Sequence, residues 1–373
     1  MIKRTSWSKD AKEIVCEMPG RTLPGVPVVA PMVAAVALLQ VKVTTSRSPC
    51  KPKGSSDVKL SRTSLLMLLA IAGTAAAYSQ AVPPWSKGAN NPVAQRRYEF
   101  RVADVDNVPD IHGNPADTRL AIFVGGNQFF VLPKLITAFE QRHPELQSHI
   151  FYETLPPGIL RKHIAVDGAI TLGNLTIQVK PDAYDAGASV LREMEQHGRV
   201  KGVVEYATND LEIVVPAGDP RKIQSLNDLA WPDLRLSMPN PQWEGIADQI
   251  ADSLRKGGGE SLYEAVYQDK MKNGKTVLTE IHHRQTPMRI MSGQLDASVT
   301  WASEVRFQRS INNPIEGIVI RANQNTTAIY AGGVLRHAPH LKLAAQWLEF
   351  LKSREAQDIY YQFGFGSIPS SYR

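Results

Sequence analysis

The chain is best read from its run of apolar positions at Leu120–Val124, five residues with no polar member, the pattern of a strand covered on both faces. Gly125-Gly126 then turns the chain, and Asn127 is placed to cap a helix. Phe130, Leu132, Leu135, Ile136 and Phe139 follow at helical spacing until Pro144 ends the pattern. The same alternation continues. Strand-like runs at 150–154, 175–179, 203–207 and 211–215 are separated by helical patterns at 159–166 and 183–197. Beyond them come a capped turn at 225–229, a strand at 234–238 and a helix at 243–256 that should end in Gly257-Gly258-Gly259. A strand at 276–281 leads to a helix at 287–292 with Thr286 as its cap and Pro287 at its first position. Strands at 295–301, 315–320 and 328–335, a helix from Ser303, and two closing helices at 339–352 and 354–363 complete the pattern. This order predicts an α/β protein with mixed, mostly parallel sheets flanked by helices.

Residues 82–118 break the rhythm. They are rich in Pro, Asn and Asp and read as an extended arm. Asp104, Asp106, Asp110 and His112 lie within it, but the glycine and glutamate spacing of a calcium loop is missing, so they are expected to be solvated turn residues.

Charge changes the picture only once it is divided. The 373 residues carry +6, which by itself would suggest a nucleic-acid partner. Residues 1–81, however, hold 11 Lys and Arg against 4 Asp and Glu, and the remainder 31 against 32. The excess belongs to the N-terminal segment, and no polybasic tract follows it. There, Lys59 and Arg62 precede an apolar stretch from Leu65 to Ala72 and small residues up to Ala81, the three parts of an export signal. The apolar stretch is short for a bilayer span. We expect a signal peptide at 58–81 with cleavage after Ala81, or else Ala77, starting at Val58. Residues 1–57 are then an extension upstream of the true start or a disordered one; a long bipartite leader is the alternative. Cys16 and Cys50 both fall in that extension, so residues 82–373 offer no disulfide, thiol nucleophile or thiolate ligand. No cysteine follows the apolar stretch to carry a lipid. The expected destination is the periplasm.

Candidate chemistry is sparse. No Gly-x-Ser-x-Gly, His-Glu-x-x-His or phosphate-loop motif occurs after Ala81, which argues against an enzyme. His282-His283, with Glu153 and Glu244, forms a possible set of ligands for zinc, nickel or cobalt. Adjacent residues on a strand point to opposite faces, so both histidines reach one ion only from a loop. Arg284 offers planar donors for an oxyanion, or for an ion pair at the surface or between lobes.

Three phrases carry a resemblance: the strand and small-residue turn at 123–128 with the helix at 135–140, the segment 291–300, and the C-terminal stretch 344–357 ending at Phe363-Gly364-Phe365. Over about 120–365 the chain resembles periplasmic solute-binding proteins of ABC importers, in particular the molybdate-binding branch. The resemblance implies a two-lobe type 2 fold, with lobe one at 116–209 and 326–373, lobe two at 210–325, and a hinge between them. It implies a monomer that binds a small solute, a molybdate- or tungstate-like oxyanion first, and delivers it to a membrane permease. No cofactor and no nucleic acid are implied. Carried over, the ligand positions are Gly125, Gly126, Asn127, Gln128, Pro157, Gly158, Asn240, Trp243, Arg284, Gln285, Thr286, Trp301 and Ser303. The serines typical of the first two loops of molybdate receptors are missing here, and Glu153 and Glu244 would repel a dianion at the cleft. A receptor for a transition-metal ion or its chelate is therefore the alternative, with an exported enzyme on the same fold behind it.

Overall fold

A computed structural model describes residues 99–100, 108–280 and 282–368. The export signal, residues 1–57, and Asp104 and Asp106 lie outside the described residues. Among the described residues no helix is long and apolar enough to cross a membrane.

Lobe one is built on a seven-stranded sheet. Its strands are β1 (Glu99–Phe100), β2 (Ile111–His112), β3 (Leu120–Val124), β4 (Ile150–Glu153), β7 (Ala183–Gly187), β8 (Val200–Asn209) and β14 (Ala328–Leu335). Their order is β1-β2-β4-β3-β7-β14-β8. Only β3 pairs in parallel, with β4 and with β7. The other neighbours are antiparallel, so the sheet is mixed, as expected, although antiparallel pairings outnumber parallel ones. The cause is β14. It returns from lobe two and inserts between β7 and β8, running against both.

Helices α1 (Leu132–Arg142) and α2 (Pro157–Ala165) follow β3 and β4, and α3 (Ala188–Gln196) follows β7. Between α2 and β7 a hairpin, β5 (Ala169–Leu172) with β6 (Leu175–Gln178), replaces the single strand expected at 175–179. β7 itself was expected to be the start of a helix. Apart from Tyr184, Ala-Tyr-Asp-Ala-Gly has little strand propensity, but the strand is enclosed between β3 and β14, which pair with it on both edges. A Cβ on the facing Gly332 would meet Asp185 Oδ1 at 2.2 Å and Leu348 at 2.6 Å.

Lobe two holds β9 (Leu211–Pro216), β10 (Leu236–Met238), β11 (Thr276–Leu278), β12 (Ser298–Trp301) and β13 (Ile315–Val319). β12-β9-β13 form an antiparallel sheet, and β10-β11 a parallel pair. Its helices are α4 (Ile246–Glu264), α5 (Gln285–Met291) and α6 (Ala302–Ser310). The glycines at 257–259 do not end α4. They kink it at Gly258 and Gly259, and helical turns resume beyond, because Leu262, Val266 and Tyr267 find a buried face to join. α5 starts two residues early, after Arg284, so Thr286 is not its cap; the Thr286 hydroxyl lies 3.1 Å from that of Ser237.

The chain crosses between the two sheets twice, at Asp210, between Asn209 and Leu211, and again between Val319 and Ala328. Asn325 ties the crossings together, its side chain accepting from Leu211 N at 3.1 Å and donating to Leu211 O at 2.9 Å. After the second crossing, α7 (Leu341–Leu351) and α8 (Arg354–Gln362) pack on lobe one. Trp347, fully buried, sits edge-on to Phe139 of α1 and beside Phe350. Burial of a side chain of this kind contributes roughly 2–3 kcal/mol. Each lobe thus has its own apolar core.

Candidate functional site

A cavity of about 160 Å³ lies between the two cores. It has room for about five waters' worth of solute, well below a drug-sized pocket. A larger hollow of about 420 Å³ sits at the opposite end of β7, lined by exposed groups such as Arg161, Lys180 and Arg336, and holds none of the residues picked from the sequence.

The inter-lobe cavity is framed by beginnings of helices. From lobe one come the turn at Gly125-Gly126-Asn127, the start of α2 at Pro156-Pro157, and the start of α3 at Gly187 and Ser189; from lobe two comes the start of α4 at Gly245-Ile246. None of these four starts is closed by its own cap side chain. The first N–H groups of a helix have no acceptor within it, so uncapped starts around one cavity make a field that favours negative charge. No lysine or arginine lines the cavity; Glu244 and Asp248 do.

Asn127 does not cap a helix. α1 begins only at Leu132, after a short 3-10 turn whose cap position is Gly125. The Asn127 amide instead donates to Tyr330 Oη, and Asn209 Nδ2 reaches the same oxygen at 3.4 Å and Ser303 Oγ at 2.8 Å. Gln128 faces the lobe-one core, donating to Tyr206 Oη and accepting from Tyr360 Oη, both at 2.8 Å. These bonds hold the Gly125–Gln128 turn from behind.

Lobe two contributes ring nitrogens. His282 and His283 are both buried, their ring centroids 4.5 Å apart, and each Nε2 is buried without a hydrogen-bond partner. His282 Nδ1 accepts from Arg284 N at 3.1 Å. Burial first, then the nearby Arg284 charge and His283, holds its pKa well below the ordinary histidine value, so the ring is neutral. His283 Nδ1 lies 3.1 Å from Glu244 Oε2, while Glu244 Oε1 accepts from Asn240 N at 3.1 Å and from the Thr279 hydroxyl. Nitrogen or oxygen atoms of Glu244, His282 and His283 fall within 4.8 Å of one another.

Of the ligand positions picked from the sequence, Gly125, Gly126, Asn127, Pro157 and Trp301 line this cavity, together with Glu244, His282 and His283. The others are engaged elsewhere. Arg284 is buried in an ion pair with Asp110, donates to Thr154 O at 3.1 Å and stacks over Phe129. Asp110 and His112 are therefore not solvated turn residues; they are buried at the sheet edge. Glu153 pairs with His163 at 3.0 Å, and burial raises its pKa in spite of that partner. Gln285 accepts from Glu280 N, Ser303 and Gln128 sit in the network behind the turn, and Thr286 bonds to Ser237. Trp243 is partly exposed, donates to Glu280 O at 2.7 Å, and packs against Gly158 at the edge of the cleft; Asn240 supports Glu244. Ser189, Gly245 and Tyr330 line the cavity and were not picked. Gly187-Ala188-Ser189 after a strand was the missed signal, hidden because β7 read as helix.

Two lobes joined by two crossings, with uncapped helix starts facing one cavity, define a receptor that encloses a small solute. The sequence agrees. Residues 120–366 match the family of bacterial extracellular solute-binding proteins, and the chain belongs to it. A Bacillus subtilis protein described as an ABC transporter substrate-binding lipoprotein, YvgL, is 24% identical over 212 residues, 55% of this chain and 76% of its own. Among solved structures, the periplasmic molybdate-binding protein of Azotobacter vinelandii superposes with a TM-score of 0.54 at 14% identity, covering 68% of this chain and all of its own. The sulfate-binding protein SubI of Mycobacterium tuberculosis gives 0.54 at 16%, over 68% of this chain and 87% of its own. A ferric-binding protein of Campylobacter jejuni gives 0.50 at 14%, over 65% and 84%. The shared fold is that of the two-lobe binding proteins, whose ligands differ, and none of these relatives is described as an enzyme.

Proposed function

We propose that the protein is the exported, non-lipidated receptor of an ABC importer and that its solute is a small inorganic oxyanion, of the molybdate, tungstate, sulfate or phosphate size class. The observation that carries this is the set of uncapped helix starts around a cavity of about 160 Å³. Anions bind helix starts without a counter-cation, through first-turn N–H groups that the helix itself leaves free. The lobes would rotate about Asp210 and residues 320–327, and closure is favoured because the ligand touches both walls only when they meet. The solute is then passed to the membrane permease unchanged.

A second reading, a transition-metal ion or its chelate, is favoured by the grouping of Glu244, His282 and His283. Two features weigh against it. Glu153 is occupied by His163, and His282 Nδ1 accepts an N–H, whereas a metal-bound histidine usually donates from its second nitrogen.

Thermal unfolding of the purified protein with oxyanions and divalent metals tests both. A rise in the midpoint with an oxyanion, unaffected by chelator, is expected. A rise only with zinc, nickel or cobalt, lost with chelator, would replace the oxyanion by a metal. No rise with either would overturn both ligand assignments.

A further inference from the structure

We infer that the hollow of about 420 Å³ at the end of β7 away from the cleft is a second binding site. Its ligand is a small organic anion of at least two negative charges, carried by carboxylate or phosphate groups on an apolar frame. The site lies on lobe one alone and does not depend on which solute the cleft takes.

Four elements run between the cleft and the hollow. α2 and α3 begin at the cleft and end at the hollow, β7 follows Pro181 at the hollow and reaches the cleft at Gly187, and β14 runs back from Tyr330 to Leu335. α2 has 9 residues, which at about 1.5 Å each sets roughly 13 Å between its two ends. The sites are therefore separate.

The floor of the hollow is apolar. Pro181, Met194 and Leu335 are buried there, and Ile164 is half-buried. The rim is cationic, with Arg161, Lys180, Arg199 and Arg336 against one carboxylate, Asp167, which lies 3.5 Å from Lys180. Among the described residues the guanidinium groups of Arg161, Arg199 and Arg336 make no hydrogen bond or ion pair. Arg142, Arg192, Arg221, Arg235 and Arg255, by contrast, each hold a carboxylate. Nor do the helix ends at the hollow occupy the three arginines. Main-chain N–H groups close both ends: those of Val166, Asp167 and Gly168 for α2, and those of His197, Gly198 and Arg199 for α3.

Like charges on one rim repel, and an anion that bridges them relieves the repulsion. A guanidinium suits carboxylate or phosphate because it offers two N–H groups in parallel. The floor selects further, since it favours a ligand whose frame leaves water with it. A mainly apolar cavity with a few convergent charged groups is the usual form of a small-molecule site. The cleft differs on the decisive point, for no lysine or arginine lines it.

Titration calorimetry of the purified protein in about 0.15 M salt, where diffuse surface attraction is largely screened, tests the site. The probes are benzene-1,3,5-tricarboxylate and phenyl phosphate, set against citrate, which has the charge without the apolar frame, and benzoate, which has the frame with a single charge. One of the first two should occupy one site per chain at least about 10-fold more tightly than citrate or benzoate, and the tighter of them identifies the anionic group. Equal affinities, or no binding in that salt, would reduce the rim to diffuse surface charge and overturn the inference. Arg161→Gln and Arg336→Gln each remove a guanidinium that has no partner to lose. The ligand-free melting point should hold while probe affinity falls at least about 10-fold. Undiminished affinity in both variants would place the probe elsewhere and overturn the inference as well. If neither variant folds, the probe series on the unaltered protein decides alone.

Discussion

The two walls of the cleft are made of different materials. Lobe one presents main chain: the turn at Gly125-Gly126-Asn127 and the starts of α2 and α3, braced by Asn127–Tyr330–Asn209 and by Gln128 between two tyrosines. Lobe two presents side chains, His282 and His283, whose Nδ1 atoms lie against Arg284 N and Glu244. A wall of N–H groups attracts any small anion. A wall of imidazoles can discriminate among them, because its donors and acceptors change with one hydrogen-bond partner. On the proposed oxyanion reading, lobe one would supply affinity and lobe two selectivity, and the difference can be broken at several points.

The largest effect is expected at the latch between the walls. Arg284→Met leaves Asp110 charged and fully buried, which should cost about 3–5 kcal/mol in denaturant unfolding. Adding Asp110→Asn should restore most of that loss, since the unpaired charge is then gone. A single variant as stable as the parent would show that the pair does not hold the walls together.

Next comes Asp185, beneath the lobe-one wall. Its main-chain oxygen accepts from Gly125 N at 2.9 Å, and burial pushes its carboxyl from 3.8 up to about 7 in spite of the bond from Trp347. The folded protein therefore retains a proton that the unfolded chain releases. Stability from this group is fully present below about pH 4 and is lost as pH rises through about 7, on the order of 4 kcal/mol in all. Melting points recorded across that range should fall with pH, and Asp185→Asn should flatten the fall. An unchanged slope in the variant would remove Asp185 as its source.

A smaller effect tests the closeness of the walls. A Cβ on Gly126 would lie 2.1 Å from His282 Nε2 and 2.8 Å from Thr154 O. Gly126→Ala should cost about 1–3 kcal/mol of ligand-free stability by overpacking and weaken oxyanion binding as the walls are forced apart. Undiminished affinity would mean that the walls do not need to come this near.

The smallest is Tyr330→Phe, which removes the oxygen that Asn127 and Asn209 share. About 1 kcal/mol of stability should be lost, with an equal weakening for all oxyanions and no change in their order. A change in order would move selectivity to lobe one.

Much of this was legible along the chain. The apolar run Leu120–Val124 and the spacing to Phe139 placed β3 and α1, and 328–335 coincides with β14, because a continuous apolar pattern is a local property that burial rewards directly. The Gly-Gly-Asn turn and Trp301, expected at the ligand, line the inter-lobe cavity, and of the expected set Glu153, Glu244, His282 and His283 the last three lie together. What the sequence by itself determined, then, is the alternation of elements, the family, and the side chains able to do chemistry. Only the tertiary structure decided which of them do. Asp110 is 174 residues from Arg284 and becomes its buried counter-ion, and Glu153 is claimed by His163 and leaves the cleft to Glu244. The helix expected from Ala183 is a strand at first, enclosed by β14 from the far end of the chain. The physical reason is the same each time: a buried polar group or a small-residue strand takes its role from whatever the fold sets against it, and sequence spacing carries no record of that neighbour.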